Sequence, residues 1–156
     1  MNVYLLVKTL HVLSSVLLVG TGFGTAYYLF FANRSGSVAA LAVVARLVVR
    51  ADWWFTAPTV IVQPVSGWWL ARAAGWSWDT PWLLLSVLFY GLAGGCWLPV
   101  VWLQIRLEQM AQQAAAKGEA LPERYWRYAR YWQRLGYPAF GAMVAIYFLM
   151  VFKPAL

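Results

Sequence analysis

Read for hydropathy, the chain is four long apolar stretches separated by three polar breaks. The first, over about 3–31, is long enough to cross a bilayer, which takes about 20 helical residues at roughly 1.5 Å each. Lys8, His11, Ser15 and Gly22 recur along it at spacings of three, four and seven, so they share one helical face. Lipid penalises such a face, and it is expected to turn into a helix bundle. A turn at Asn33-Arg34-Ser35-Gly36 follows. Residues 37–51 then read as an interfacial helix with Arg46 and Arg50 on its charged edge. It leads into a second span over about 52–73, where Pro58 and Pro64 remove backbone donors and invite kinks.

A Trp-rich turn, Ala74 to Asp79, leads to Thr80 and Pro81, a cap and first-turn pair that opens a third span over about 80–105. Gln104, Arg106 and Glu108 mark its polar exit, and Met110 to Arg124 reads as the main hydrophilic connecting loop. Arg124, Arg127, Arg130 and Arg134 then recur three or four apart among tyrosines and tryptophans. This is the pattern of an aqueous helix end resting in headgroups, and it runs into a fourth span over about 132–152. The expected fold is all-α: one transmembrane domain, 1–156, a four-helix bundle with an interfacial helical segment before helix 2.

Composition supports the membrane reading. The chain is 63% hydrophobic and only 11% charged, where soluble domains carry about 25% charge. Its 11 Trp and 9 Tyr suit aromatic belts at both membrane faces. A net charge of +7 would suggest nucleic acid in a soluble protein, but here the basic residues fall in the breaks. Four spans put Lys8, Arg72 and Lys153 on one side and the nine others on the opposite side. The positive-inside rule makes the nine-residue side cytoplasmic. The expectation is therefore a multi-pass protein of the bacterial inner (cytoplasmic) membrane, with both termini outside and no nucleic-acid partner. The N-terminus lacks a basic n-region, so the first helix is expected to stay in the mature protein. The expected partners are the bilayer and, at the Arg124–Arg134 stripe, anionic lipid headgroups.

Few motifs carry chemistry. Gly20-Thr21-Gly22-Phe23-Gly24 lies within an apolar span with no preceding strand, which rules out a dinucleotide loop. Gly20 with Gly24, and Gly91 with Gly95, form GxxxG steps that let helices approach closely, within the chain or in a homodimer. Cys96 is the single cysteine and excludes an internal disulfide or a multi-thiolate metal site. The five acids, Asp52, Asp79, Glu108, Glu119 and Glu123, all read as belonging to interfaces or loops. With one histidine and no carboxylate pair, hydrolytic chemistry is excluded.

His11 is the candidate site. One reading is structural, with the imidazole bonded to a serine, a glutamine or a carbonyl across the bundle. The other is metal ligation, since imidazole in an apolar four-helix bundle is a usual axial ligand of haem iron. Counting eight residues in from each outer helix end places Gln63, Ser66, Tyr90 and Met143 at the depth of His11. Met143 then stands as a second axial ligand, and Gln63 and Tyr90 as hydrogen-bond partners. Lys8 and Arg72, nearer the outer surface, would pair with the haem propionates.

The stretches KTLHVLSSVLLVGTGFGTAYY, WWFTAPTVIVQPVSGWWLA, CWLPVVWLQIRL and the closing LMVFKP resemble a bacterial family of predicted integral membrane proteins of unknown function. That resemblance covers nearly the whole chain and implies a small four-helix inner-membrane protein. More distantly, the K-x-x-H pattern at Lys8 and His11, with SGWWLA closing helix 2, is similar to two wider groups. These are the membrane protoporphyrinogen oxidases of the HemJ type and the membrane part of CopD-type copper-resistance proteins. The first implies haem b on His11 and redox or tetrapyrrole chemistry. That group also carries a lysine early in helix 3, where this chain reads PWLLLSVLFYG and has Ser86. Two rival readings stay open: a cofactor-free structural or partner-binding protein, and a transporter of small solutes or metal.

Overall fold

A computed structural model describes residues 2–154. The described chain is almost entirely helical and has no strand. Helix α1 spans Val3–Ser35, α2 Val38–Ala51, α3 Ala57–Ala73, α4 Pro81–Lys117 and α5 Glu123–Phe152. A π-helical turn, Asp52–Thr56, joins α2 to α3 without a break, so the five helices make four rods.

Local chemistry sets the ends. The Asn2 side chain accepts from the Tyr4 N–H at 3.0 Å, and α1 closes on Gly36 at φ 70°, a left-handed cap that glycine adopts without steric cost. Ser37 restarts the chain by accepting from the Ala40 N–H at 3.2 Å. Thr80 holds the cap position of α4 and Pro81 its first turn, as their order predicts, although the threonine side chain makes no capping bond. The π turn has an identifiable cause. Pro58 has no N–H for the Trp54 carbonyl, and its ring would crowd that carbonyl in a regular helix. Widening the preceding turn relieves both problems.

Two sequence expectations change, and one open alternative closes. The helical segment before the second span, which the sequence left free to lie flat or to extend helix 2, extends it as one rod. Leu41, Ala42, Ala45 and Val48 of that segment are buried in the main core, which outweighs any gain from lying flat at the interface. Met110–Lys117 is not loop: α4 continues through it because Ala111 and Ala114 pack inward, and the chain turns only at Gly118. Asn33, Arg34 and Ser35 belong to α1, so the first turn contracts to Gly36 and Ser37.

At about 1.5 Å per residue, α1 with 33 residues and α4 with 37 both exceed the roughly 30 Å hydrocarbon thickness. The excess lies at one end, where the main core gathers Leu29, Leu41, Leu107, Tyr125 and Trp132 from four helices. The Tyr125 hydroxyl donates to Asn33 Oδ1 at 2.8 Å and ties α5 to α1. Burial pushes this phenol well above its ordinary range. Tyr125→Phe is expected to cost about 1 kcal/mol, the usual net worth of such a bond, read as a lower unfolding midpoint in detergent.

Packing is uneven. Helix α1 runs antiparallel to α3, and α4 packs along α5, giving two hairpins. The hairpins are joined chiefly where α2 crosses α4. Toward the other end they separate, leaving a small secondary core of Ala71, Trp82 and Leu83. Helices α1, α4 and α5 are each long and apolar enough to cross a membrane. Large apolar side chains such as Leu13, Val16, Phe23, Leu88, Leu98 and Phe148 point outward along them.

Candidate functional site

His11 lies where α1 meets α3. Its Nδ1 is 2.7 Å from the Ser66 hydroxyl oxygen. That hydroxyl also lies 2.5 Å from the Val62 carbonyl. When it gives its one proton to that carbonyl, Nδ1 has to be the donor to its oxygen, and the lone pair of the ring falls on Nε2. Among the described residues Nε2 makes no hydrogen bond. Gly67 lets the ring settle against the α3 backbone, since a Cβ there would stand 3.3 Å from His11 Cε1.

Gln63 braces the same turn. Its amide nitrogen donates to the His11 carbonyl at 2.8 Å and also bonds the Ser14 hydroxyl, which reaches that carbonyl at 3.2 Å. Of the serine and glutamine expected as partners of the imidazole, Ser66 reaches the ring, while Gln63 bonds the His11 carbonyl and Ser14. The polar face expected on α1 divides. His11 turns to α3 beside Ser14, which the spacing does not assign to that face; Ser15 bonds its own helix at the Val12 carbonyl, Gly22 faces Phe140 of α5, and Lys8 is exposed.

The other depth-matched residues lie elsewhere. The Tyr90 hydroxyl donates to the Val60 carbonyl at 2.7 Å, so it binds α3 and not the imidazole. Met143 lines a cavity of about 130 Å³ between the hairpins, and His11 is not among that cavity's lining residues. Arg72 is exposed and stacks on Trp68, its guanidinium carbon 5.6 Å from the ring centre. Because α1 and α3 are antiparallel, Lys8 and Arg72 both lie on the side of His11 toward the start of α1. Among the described residues no group of three or more His, Cys, Asp or Glu could hold a metal.

The four GxxxG glycines do not close the bundle. A Cβ at Gly20, Gly24, Gly91 or Gly95 would meet nothing within 4 Å, so these faces are open within one chain.

The family model for "Predicted integral membrane protein (DUF2269)" matches residues 5–154. The chain belongs to that family. No curated protein and no solved structure matches it. For this DUF2269 member, membrane residence is thereby supported twice, by the family and by three apolar helices. The family description names no activity, so function has to be argued from the side chains.

One residue of evident interest escapes the sequence reading. Asp52, read there as interfacial, is buried at 5% exposure and lines the cavity. Once residues 38–51 join α3 in one rod, the signal is plain. Leu41, Ala45, Val48, Asp52, Thr56, Thr59 and Gln63 recur three or four apart, and all are buried. A single stripe turns from apolar to polar as it approaches His11.

Proposed function

We propose that this chain is a b-type haem-binding membrane protein, with His11 Nε2 as axial ligand. The observation that carries the reading is the pinned imidazole: Nδ1 is held 2.7 Å from the Ser66 hydroxyl, and Nε2 makes no hydrogen bond among the described residues. Ligating histidines ordinarily donate their other nitrogen in this way, which fixes the ring and raises its basicity.

The fit is specific about where such a group would sit. The interior cavity of about 130 Å³ is smaller than the roughly 300–1,000 Å³ of ordinary ligand pockets, and it does not reach His11. A porphyrin therefore does not fit inside one bundle. It would lie on the outer α1–α3 face, where His11 is half-buried, with Lys8 and Arg72 toward its carboxylates. Met143 takes no part. The bound group would supply one-electron redox chemistry, while Ser66, Gln63 and Gly67 hold the imidazole in place. We further assign the chain to the bacterial inner membrane with the termini outside, on the three-to-nine division of its basic residues.

The test is a reduced-minus-oxidised absorption spectrum of protein purified from haem-replete cells, wild type beside His11→Ala. A b-type signal in wild type that is lost in the variant is expected. Colourless wild-type protein would end the reading.

A second reading, a partner-binding protein, is favoured by the open GxxxG faces. Gly24→Leu should leave the chain's own unfolding within about 0.5 kcal/mol of wild type, because no neighbour is disturbed. If these faces assemble, the same variant lowers the mass of the detergent-solubilised particle in light scattering; an unchanged mass counts against assembly.

A further inference from the structure

Between the hairpins one buried oxygen of Asp52 and one of Gln104 are left without a hydrogen-bond partner. Asp52 and Gln104 are each 5% exposed. Thr56 donates to Asp52 Oδ1 at 3.0 Å, and Gln104 turns its amide toward the same carboxyl. Asp52 Oδ2 and Gln104 Oε1 have no hydrogen-bond partner. Both residues line the cavity of about 130 Å³, and both line a smaller one of about 30 Å³ against Trp53 and Trp97.

An unpaired carboxylate in such surroundings costs on the order of several kcal/mol. The chain has 12 Lys and Arg, yet no basic side chain lines either cavity. A partner that carries both a positive charge and hydrogen-bond donors would satisfy both atoms. A lone proton would meet that need without any empty space beside the carboxyl, but a chamber is there. Its walls include Tyr90, Trp97, Trp132 and Phe140, whose ring faces attract cations. Gly22 and Gly94 keep it open, and the rest of the wall is largely aliphatic. The π turn fits this use, since such turns frequently mark functional positions and this one begins at Asp52.

We propose that the cavity between the hairpins binds a small lipophilic amine. Its ammonium, with three donors, bonds Asp52 Oδ2 and Gln104 Oε1, and its hydrocarbon part lies among the aromatic walls. The site is separate from His11, which does not line the cavity.

The test is equilibrium dialysis of the purified full chain in detergent against radiolabelled butylammonium, with butanol as a neutral competitor of the same length. Saturable binding that butanol does not displace is expected. Asp52→Asn should weaken it by about tenfold or more, the loss of one charge-assisted bond. Gly94→Leu should abolish it while leaving the carboxyl in place, because Gly94 faces open space within the cavity. Should Asp52→Asn fail to fold, as judged by circular dichroism, Gly94→Leu carries the test. Absence of saturable binding by wild type, or binding as tight as wild type in both variants, overturns the proposal. So does an infrared carboxylic-acid band at neutral pH that Asp52→Asn removes and butylammonium does not, since the proton is then the partner. The His11 absorption spectrum should be unchanged in Asp52→Asn, which separates this result from the haem reading.

Discussion

Leu107→Ala is expected to destabilise the protein by about 2–5 kcal/mol, the range for truncating a fully buried leucine. Leu107 is 0% exposed and sits on α4 where that helix meets both α2 and α5. Ala111, one turn along, is equally buried and too small to move into the space. The hairpins are joined chiefly at this end, so the loss falls on the contact that holds them together. Leu98 is the control. It lies on the same helix at 67% exposure, and Leu98→Ala should change stability little, because its side chain touches lipid or detergent in the folded chain. Thermal unfolding in one detergent, read by circular dichroism, measures both. Equal effects from the two variants would contradict the packing described here.

The helical class and the apolar character of α1, α4 and α5 were legible because lipid imposes a strong rule: a long apolar run must satisfy its backbone internally. What the hydropathy pattern could not reveal was helix that continues beyond the membrane. Residues 38–51 carry two arginines and Met110–Lys117 carries three glutamine or lysine side chains, so polarity alone argues for interface or loop. Their alanines decide otherwise. Ala42, Ala45, Ala111 and Ala114 are all buried, and such small side chains bring α2 and α4 close at the basic end. Hydropathy weighs alanine lightly; packing does not.

The candidate site was legible in part for a related reason. Counting residues inward from the helix ends set Gln63 and Ser66 at the depth of His11, where Ser66 meets the ring and Gln63 the backbone carbonyl, because α1 and α3 are antiparallel neighbours. The same count set Met143 and Tyr90 at that depth, but depth says nothing about azimuth. The hairpins part at this level, and Met143 faces the cavity in place of the imidazole. Asp52 was missed because its segment was divided at the wrong point. Its burial is visible only when the periodicity is followed across the π turn.

Gly67→Leu is expected to act on the His11 site more sharply than any other glycine replacement. Of the 12 glycines, Gly67 alone would bring a Cβ closer than ordinary van der Waals contact to another part of the fold, 3.3 Å from His11 Cε1. A leucine adds three more carbons beyond that point, and they crowd the imidazole further. Overpacking of this kind costs about 1–3 kcal/mol, and the ring must swing away from Ser66 to relieve it. The two outcomes are separable. A lower unfolding midpoint reports the crowding of α1 against α3. A b-type spectrum reduced or shifted relative to wild type reports that the ring has left its anchored position. Ser66→Ala removes the acceptor for Nδ1 without adding bulk, so it should change the spectrum with a smaller loss of stability. If Gly67→Leu and Ser66→Ala both left a wild-type spectrum in haem-loaded protein, the anchored imidazole would not be the ligand, and His11 would serve only to join α1 to α3.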